Sequence, residues 1–305
     1  MFQARHLDRI PIWKTGWRKW VTFQEVSSSK GAGPYSQEEF LARWSAIQNT
    51  AWRSKSPREM TIAFWKMESL GSAYGEAPPP GSTLSDPRLP TEIRPIAHTG
   101  LGVAAVEVGC FDPGRISERI DSLADPNFRL FAYESLGAML GAYEVPLPKS
   151  LVGLKPLRRP EPRAFISYFE PEIQRLISVG YGRILYFNSL DTTQAIRRIG
   201  DRPFLEPFAA VQGVAFAYAM VNHLDFWVVL DTDGEFADPR LRIAFRSGLI
   251  YALEFWEWEA PGFLRSLHPP SRRSAELIRV AQMEIDACRA RGRLNAFLVE
   301  DSLRT

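Results

Sequence analysis

Two segments, FAYESLGAMLGAYE (131–144) and FAAVQGVAFAYAMVN (208–222), decide the fold. Each reads as a helix of small residues interleaved with Met, Leu, Phe and Tyr. Small residues four apart, Gly137 with Gly141 and Gly213 with Ala217, let helix axes approach closely. Aligned without a gap, Glu134 faces Gln212 and Glu144 faces Asn222. Each segment follows an acid-proline start, a charged connector and another helix, and FRSGLIYALEFW (245–256) is a weaker third echo. The pattern predicts an internal duplication of helical units, 96–150 and 165–225, with these helices buried as a central pair.

Working outward, the chain reads as helices punctuated by proline and glycine. Asp112-Pro113, Asp125-Pro126, Glu170-Pro171, Glu206-Pro207 and Asp238-Pro239 each precede a run with helical spacing. A carboxylate there accepts otherwise unpaired amide protons, and proline has none to leave unpaired. Ser36 with Glu39 forms a capping box ahead of Phe40, Leu41, Trp44 and Ile47. Asp191 with Gln194 offers a similar start and Gly200 a stop. Ser274 opens a last helix with Leu277, Ala281, Ile285 and Cys288 on one face, ended by Gly292. Residues 77–95 hold six prolines and read as a linker, as do 156–162, and 145–148 (VPLP) closes a helical block. The short runs RILYF (183–187) and FWVVL (226–230) fit helix or strand equally. The chain is read as mainly α, with an N-terminal helical segment and linker over 1–95 and a helical domain over 96–305.

Composition narrows the function. Hydrophobic residues at 45% and charged residues at 24% exclude a disordered tail. Lys plus Arg at 37 against 35 acids leaves +2, too balanced to advertise nucleic acid or an anionic membrane. Four His and two Cys, with no CxxC pair, weigh against metal sites and disulfides, so no cofactor is expected. Cys110 and Cys288 read as small buried hydrophobes in a reducing cytoplasm. The start of the chain lacks the apolar stretch of a signal peptide, and no run approaches the roughly 18 apolar residues of a membrane helix. Trp13, Trp17 and Trp20 lie at helical spacing beside Lys14, Arg18 and Lys19, which suits a packed face or a membrane-surface helix.

The segments FAYESLGAM, GYGRILYF and VQGVAFAYAMVN carry a family resemblance. In order and spacing they are similar to the FAYEG-like, GFGRALWF-like and WxGxGLAxAYAGG-like segments of the UnbL-type enediyne biosynthesis proteins, an uncharacterised-domain family that accompanies enediyne polyketide synthases. The resemblance covers roughly 100–222. Ser135 replaces a family glycine, Val221-Asn222 replaces a double glycine, and the first hundred residues have no counterpart. The resemblance implies a role in bacterial secondary metabolism on a polyene or polyketide-derived molecule, without fixing the chemistry.

Several residues could carry chemistry. Glu134 has no other charge between Arg129 and Glu144. Buried among apolar residues it would keep its proton and act as general acid, or it is hydrogen-bonded in helix packing. Arg183, after Gly180 and Gly182, could hold an anion or Glu134 itself. His223 titrates near neutrality if exposed, or caps a helix. Residues 231–235 (DTDGE) gather acids but lack calcium-loop spacing and read as a solvated turn. Glu254, Glu257 and Glu259 among Phe255, Trp256 and Trp258 could steady a cation, or form a solvated helix end.

The leading expectation is a cofactor-independent isomerase or cyclase for a hydrophobic polyene or isoprenoid-like molecule, with catalytic Glu134, Arg183 and His223. Tyr133, Met139, Gln212, Phe216, Tyr218, Asn222 and Trp256 would line its pocket. The rivals are a non-catalytic carrier or chaperone of a hydrophobic small molecule or partner synthase, and a helical-repeat scaffold that binds proteins.

Overall fold

The computed structural model describes residues 35–54, 57–144, 157–232, 236 and 238–291. Over these residues the chain forms thirteen α-helices and no β-strand. They are α1 (Gln37–Ser54), α2 (Pro57–Glu76), α3 (Arg94–Gly109), α4 (Pro113–Leu123), α5 (Arg129–Ala142), α6 (Pro162–Ser167) and α7 (Pro171–Ser189). Then come α8 (Thr192–Gly200), α9 (Pro207–Val221), α10 (Phe226–Leu230), α11 (Pro239–Glu259), α12 (Phe263–Ser266) and α13 (Arg272–Arg291). Both ambiguous apolar runs are helical, 183–187 within α7 and 226–230 as α10. Trp13, Trp17, Trp20, the segment 145–148, Asp233 to Glu235 and Gly292 lie outside the described residues.

Local chemistry sets the helix starts. Asp112, Glu206 and Asp238 accept hydrogen bonds from the first free amides of α4, α9 and α11, satisfying donors that have no partner inside a helix. Ser36 and Glu39 close the expected reciprocal box, at 2.7 and 3.2 Å. Asp191 caps α8 at 2.7 Å, and Gly200 ends it. Glu161-Pro162, inside the expected linker, is a further start: Glu161 accepts from Arg163 and Ala164 and opens α6. Asp125-Pro126 departs from the rule. Its carboxylate folds a turn by accepting from the Asn127 amide at 2.9 Å, and α5 begins at Arg129. The last helix starts at Arg272, where Ser271 and Ser274 cap each other, two residues before the expected position.

Long buried helices alternate with short ones. In packing order α2 lies on α3, α3 on α5, α5 on α7, α7 on α9 and α9 on α11, while α11 also meets α2. The six therefore form a ring around one core. Glycines set the spacing. A Cβ added to Gly71 would overlap the Ala97 carbonyl, and one on Gly102 the Ala132 carbonyl. Gly137 meets the Ile177 carbonyl and Gly180 the Glu134 carbonyl in return; Gly182 meets Ala210, Gly213 meets Val179, and Gly248 meets Gln212. Each helix thus beds its backbone on the next, closer than any side chain permits. This revises the expected central pair. The helices α5 and α9 each interlock with α7, which stands between them. The hydrophobic core is continuous from Tyr35 to Ile285, so residues on both sides of the proline-rich segment share it.

His98 pins α3 to the turn before α5. Its Nδ1 bonds the Arg94 carbonyl at 2.6 Å, and its Nε2 accepts the Asp125 amide at 2.7 Å. The second bond requires the neutral tautomer protonated at Nδ1. Burial holds the ring neutral, with its pKa lowered to about 4. Cys110 was expected to be buried; it is exposed, in a left-handed conformation that ends α3.

The glycine contacts carry a direct test. Gly137→Ala forces a methyl into the Ile177 backbone and should lower stability by about 1–3 kcal/mol or more in urea unfolding. Gly200 has nothing within 4 Å of its added methyl. Gly200→Ala should stay within about 1 kcal/mol of the parent protein.

Candidate functional site

The ring encloses charge. Gly180 brings α7 against the backbone of α5 at Glu134, and Arg183 follows three residues later on the same face. Its guanidinium lies 3.4 Å from the Glu134 carboxylate and 3.5 Å from that of Glu68 on α2. Glu134 is 2% exposed and Arg183 3%. One cation thus ties together three helices of the ring, α2, α5 and α7.

The cluster is under-satisfied. Oε1 of Glu134 and Nε of Arg183 are buried without a hydrogen-bond partner. On α11, Tyr251 is buried, and its hydroxyl is pushed well above its ordinary range, first by burial and then by the charge of Glu134. Glu254, one turn further along, is 1% exposed, and both its carboxyl oxygens lack partners. Burial raises Glu254 well above the usual carboxylate range. Burial also raises Glu68, with Arg183 opposing. Glu134 rises to about 7, chiefly by burial, with Arg183 opposing and Glu68 reinforcing. For Arg183, burial disfavours the charge, but Glu134 and Glu68 together hold its pKa above the ordinary value. One guanidinium cannot balance two ionised carboxylates, Glu134 and Glu68, in a buried interior, so the cluster retains a proton near neutral pH.

Aromatic rings wall this cluster. Phe64 of α2 meets Phe216 of α9 at 6.0 Å and Phe255 of α11 at 5.6 Å between ring centres. Phe216 also packs on Tyr251 at 4.7 Å, and Phe131 on Phe255 at 5.6 Å.

Of the expected residues, Glu134, Arg183 and Phe216 come together here. Most of the others diverge. Tyr133 turns away to pack on Phe169 at 5.9 Å, because neighbours on a helix point about 100° apart. Trp256 packs with Phe226 and Phe263, on a different side of α11 from Phe255. Tyr218 meets Tyr186 and the Thr232 hydroxyl, and Asn222 donates to the Tyr186 hydroxyl at 2.9 Å. Met139 is buried in the core, and Gln212 is buried where its carbonyl meets Gly248. His223 is buried beyond the end of α9, its Nδ1 bonded to the Met220 carbonyl at 3.0 Å. Tyr133, Trp256, Tyr218, Asn222 and His223 thus make their contacts away from Glu134.

Glu254, Glu257 and Glu259, read as steadying a cation or forming a solvated helix end, are all buried. Glu257 caps α12 by accepting from Gly262 and Leu264, both at 2.9 Å. Glu144 is held by Arg159, Arg202 and Tyr181, a clamp at the end of α5. Asp231 accepts from Ser271 at 2.7 Å, which ties α10 to the start of α13. Among the described residues no group of His, Cys, Asp and Glu is arranged to hold a metal.

Two members of the cluster, Glu68 and Tyr251, escaped the sequence reading. A signal for Glu68 was present: residues 68–75 read ESLGSAYG and residues 134–141 read ESLGAMLG. Both helices thus carry an acid three residues before an interlocking glycine, and both acids meet Arg183. No protein-family model, curated protein or solved structure matches the chain.

The raised pKa of Glu134 has a signed consequence. The folded protein holds this proton up to about 7, whereas the unfolded chain releases it near 4.5. Its contribution to stability is therefore full below 4.5 and declines as pH rises through 7. His98 acts in the opposite direction, losing stability as pH falls from 6.5 towards 4, so comparison with a variant isolates the Glu134 effect. Glu134→Gln should remove a loss of about 3 kcal/mol between pH 4.5 and pH 7 in urea unfolding. Equal slopes in the two proteins would contradict a raised Glu134.

Proposed function

We propose that this protein is a cofactor-independent isomerase or cyclase for a hydrophobic polyene or isoprenoid-like molecule, with Glu134 as its proton carrier. The observation that carries the reading is the buried, unpartnered Oε1 of Glu134 beside Arg183, on a carboxyl that keeps its proton up to about 7. A general acid works best with a pKa near the operating pH.

In this reading the Glu134 O–H bond breaks as a C–H bond forms from the π electrons of the substrate. The positive charge passes to carbon, where the faces of Phe64, Phe216, Phe255 and Tyr251 oppose it favourably. Loss of a proton from another carbon returns it to the Glu134 carboxylate and leaves a rearranged double bond or a ring. Arg183 steadies the carboxylate while the proton is away, and Glu68 keeps the guanidinium from neutralising Glu134 outright. Arg183 and Glu68 are positioning residues.

The resemblance to the enediyne-associated family supports the substrate class. Its three segments fall on α5, α7 and α9, the consecutive helices that interlock around Glu134 and Arg183. A role in bacterial secondary metabolism follows from that resemblance. The carrier reading draws support from an apolar cleft beside His223. It differs in outcome, since a carrier binds the molecule and releases it unchanged.

Incubation of conjugated polyene and isoprenoid acids with the protein in D2O distinguishes the readings. The expected result is a rearranged product carrying deuterium, with turnover reduced at least about a hundredfold in Glu134→Gln. Full turnover by a folded Glu134→Gln protein would remove Glu134 from the chemistry. Binding without any product or exchange would favour the carrier.

A further inference from the structure

The ring repeats one unit three times. Gly100 of α3 beds on the Glu68 carbonyl of α2, Gly180 of α7 on the Glu134 carbonyl of α5, and Gly248 of α11 on the Gln212 carbonyl of α9. Glu68, Glu134 and Gln212 therefore hold the same place in three helix pairs. The register extends beyond that contact. Two residues after the first two glycines the chain meets the next unit, Gly102 on the Ala132 carbonyl and Gly182 on that of Ala210. Ala132 and Ala210 stand two residues before Glu134 and Gln212. In the third unit Ile250 takes the place of that glycine, and α11 meets α2 through Phe255 on Phe64. Three residues after Gly100, Gly180 and Gly248 come Val103, Arg183 and Tyr251.

Equivalent backbone contacts aim equivalent side chains the same way. Glu68 and Glu134 meet one group inside the ring, Arg183, at 3.5 and 3.4 Å. A third side chain from the same place approaches the same point. Helix α9 supports this independently. Phe216 stands one turn after Gln212 on the same face, and it packs on Tyr251 and meets Phe64 and Phe255 inside the ring. Gln212 is 6% exposed, so its side chain is enclosed as well. The groups around Glu134 are then Glu68 from α2, Arg183 from α7, Tyr251 from α11 with Glu254 one turn beyond, and Gln212 from α9. The corresponding place on α3 holds the uncharged Val103.

We propose that Gln212 is the third arm of this site, a positioning residue whose amide faces the Glu134 carboxyl and steadies it while its proton is away. The choice of an amide has a physical reason. A third acid at this place would set three carboxylates around one guanidinium, and an apolar residue would offer an ionised carboxylate nothing. An amide adds no charge, and its N–H groups are donors for Oε1 of Glu134, which is buried without a partner. The part that Gln212 plays in proton transfer rests on the reading of Glu134 as proton carrier; its place beside Glu134 does not.

Carboxyl NMR titration of the full chain, labelled with 13C at the glutamate side chains, reads both the placement and the role. Loss of a resonance in Glu134→Gln identifies that of Glu134. Gln212→Met keeps the length of the side chain and removes the donor, so the Glu134 midpoint should rise by about half a pH unit or more. Gln212→Glu installs the acid that the other two units carry, and its like charge should move the Glu134 resonance in the same direction. A Glu134 midpoint unchanged in both variants, or in Gln212→Met alone where Gln212→Glu does not fold, would place the Gln212 side chain elsewhere and overturn the proposal. Each shift is read against the parent protein's own midpoint, so this outcome is decided apart from turnover, which tests Glu134 as proton carrier.

Discussion

The contact on which this structure depends is glycine against carbonyl. Six helices, α2, α3, α5, α7, α9 and α11, pass each other where one offers a missing side chain and the next its backbone. Such packing fixes axis separation more tightly than side chains can, because backbone does not change rotamer. It also fixes register. With Gly180 bedded on the Glu134 carbonyl and Gly213 on that of Val179, Arg183 has little choice of neighbours.

That constraint explains how a close-packed interior tolerates charge. Desolvating an arginine and several carboxylates is costly, and pairs at 3.4 and 3.5 Å repay it only in part. A core of leucine at these positions would be the more stable solution on electrostatic grounds. The interlocked backbones supply packing that holds the charges in place, leaving polar atoms without partners. Buried polar atoms left without partners beside aromatic side chains are the feature on which the proposed proton transfer rests.

Much of the architecture was legible because it is local. Acid-proline pairs announce helix starts, and four of the five read that way begin helices, three through the acid's own side-chain cap and Glu170 without one. Asp125 failed because its carboxylate found a nearer amide in a turn. Glu134 and Arg183 stood out as isolated charges in small-residue segments, and both belong to the cluster. Their neighbours were harder to assign. Tyr133 and Trp256 occupy the right segments but point elsewhere, since membership of a helix does not specify a face when every face is buried. The acids of α11 suggested a solvated end because covering helices, α12 and α13, are not visible in the local pattern. Glu68 was within reach through the repeated ESLG, but it lies ahead of the proline-rich segment, outside the two segments read as a duplication.

The glycine-set ring places Glu134 beside Arg183, in buried surroundings that favour its protonated form near neutrality. The most direct measurement is a carboxyl NMR titration of protein labelled with 13C at the glutamate side chains. The expected result is a resonance with its midpoint at about 7, absent from Glu134→Gln. Were the resonance lost in that variant to titrate near the ordinary 4.5, the cluster would be an ordinary ion pair and the proposed chemistry would lose its acid.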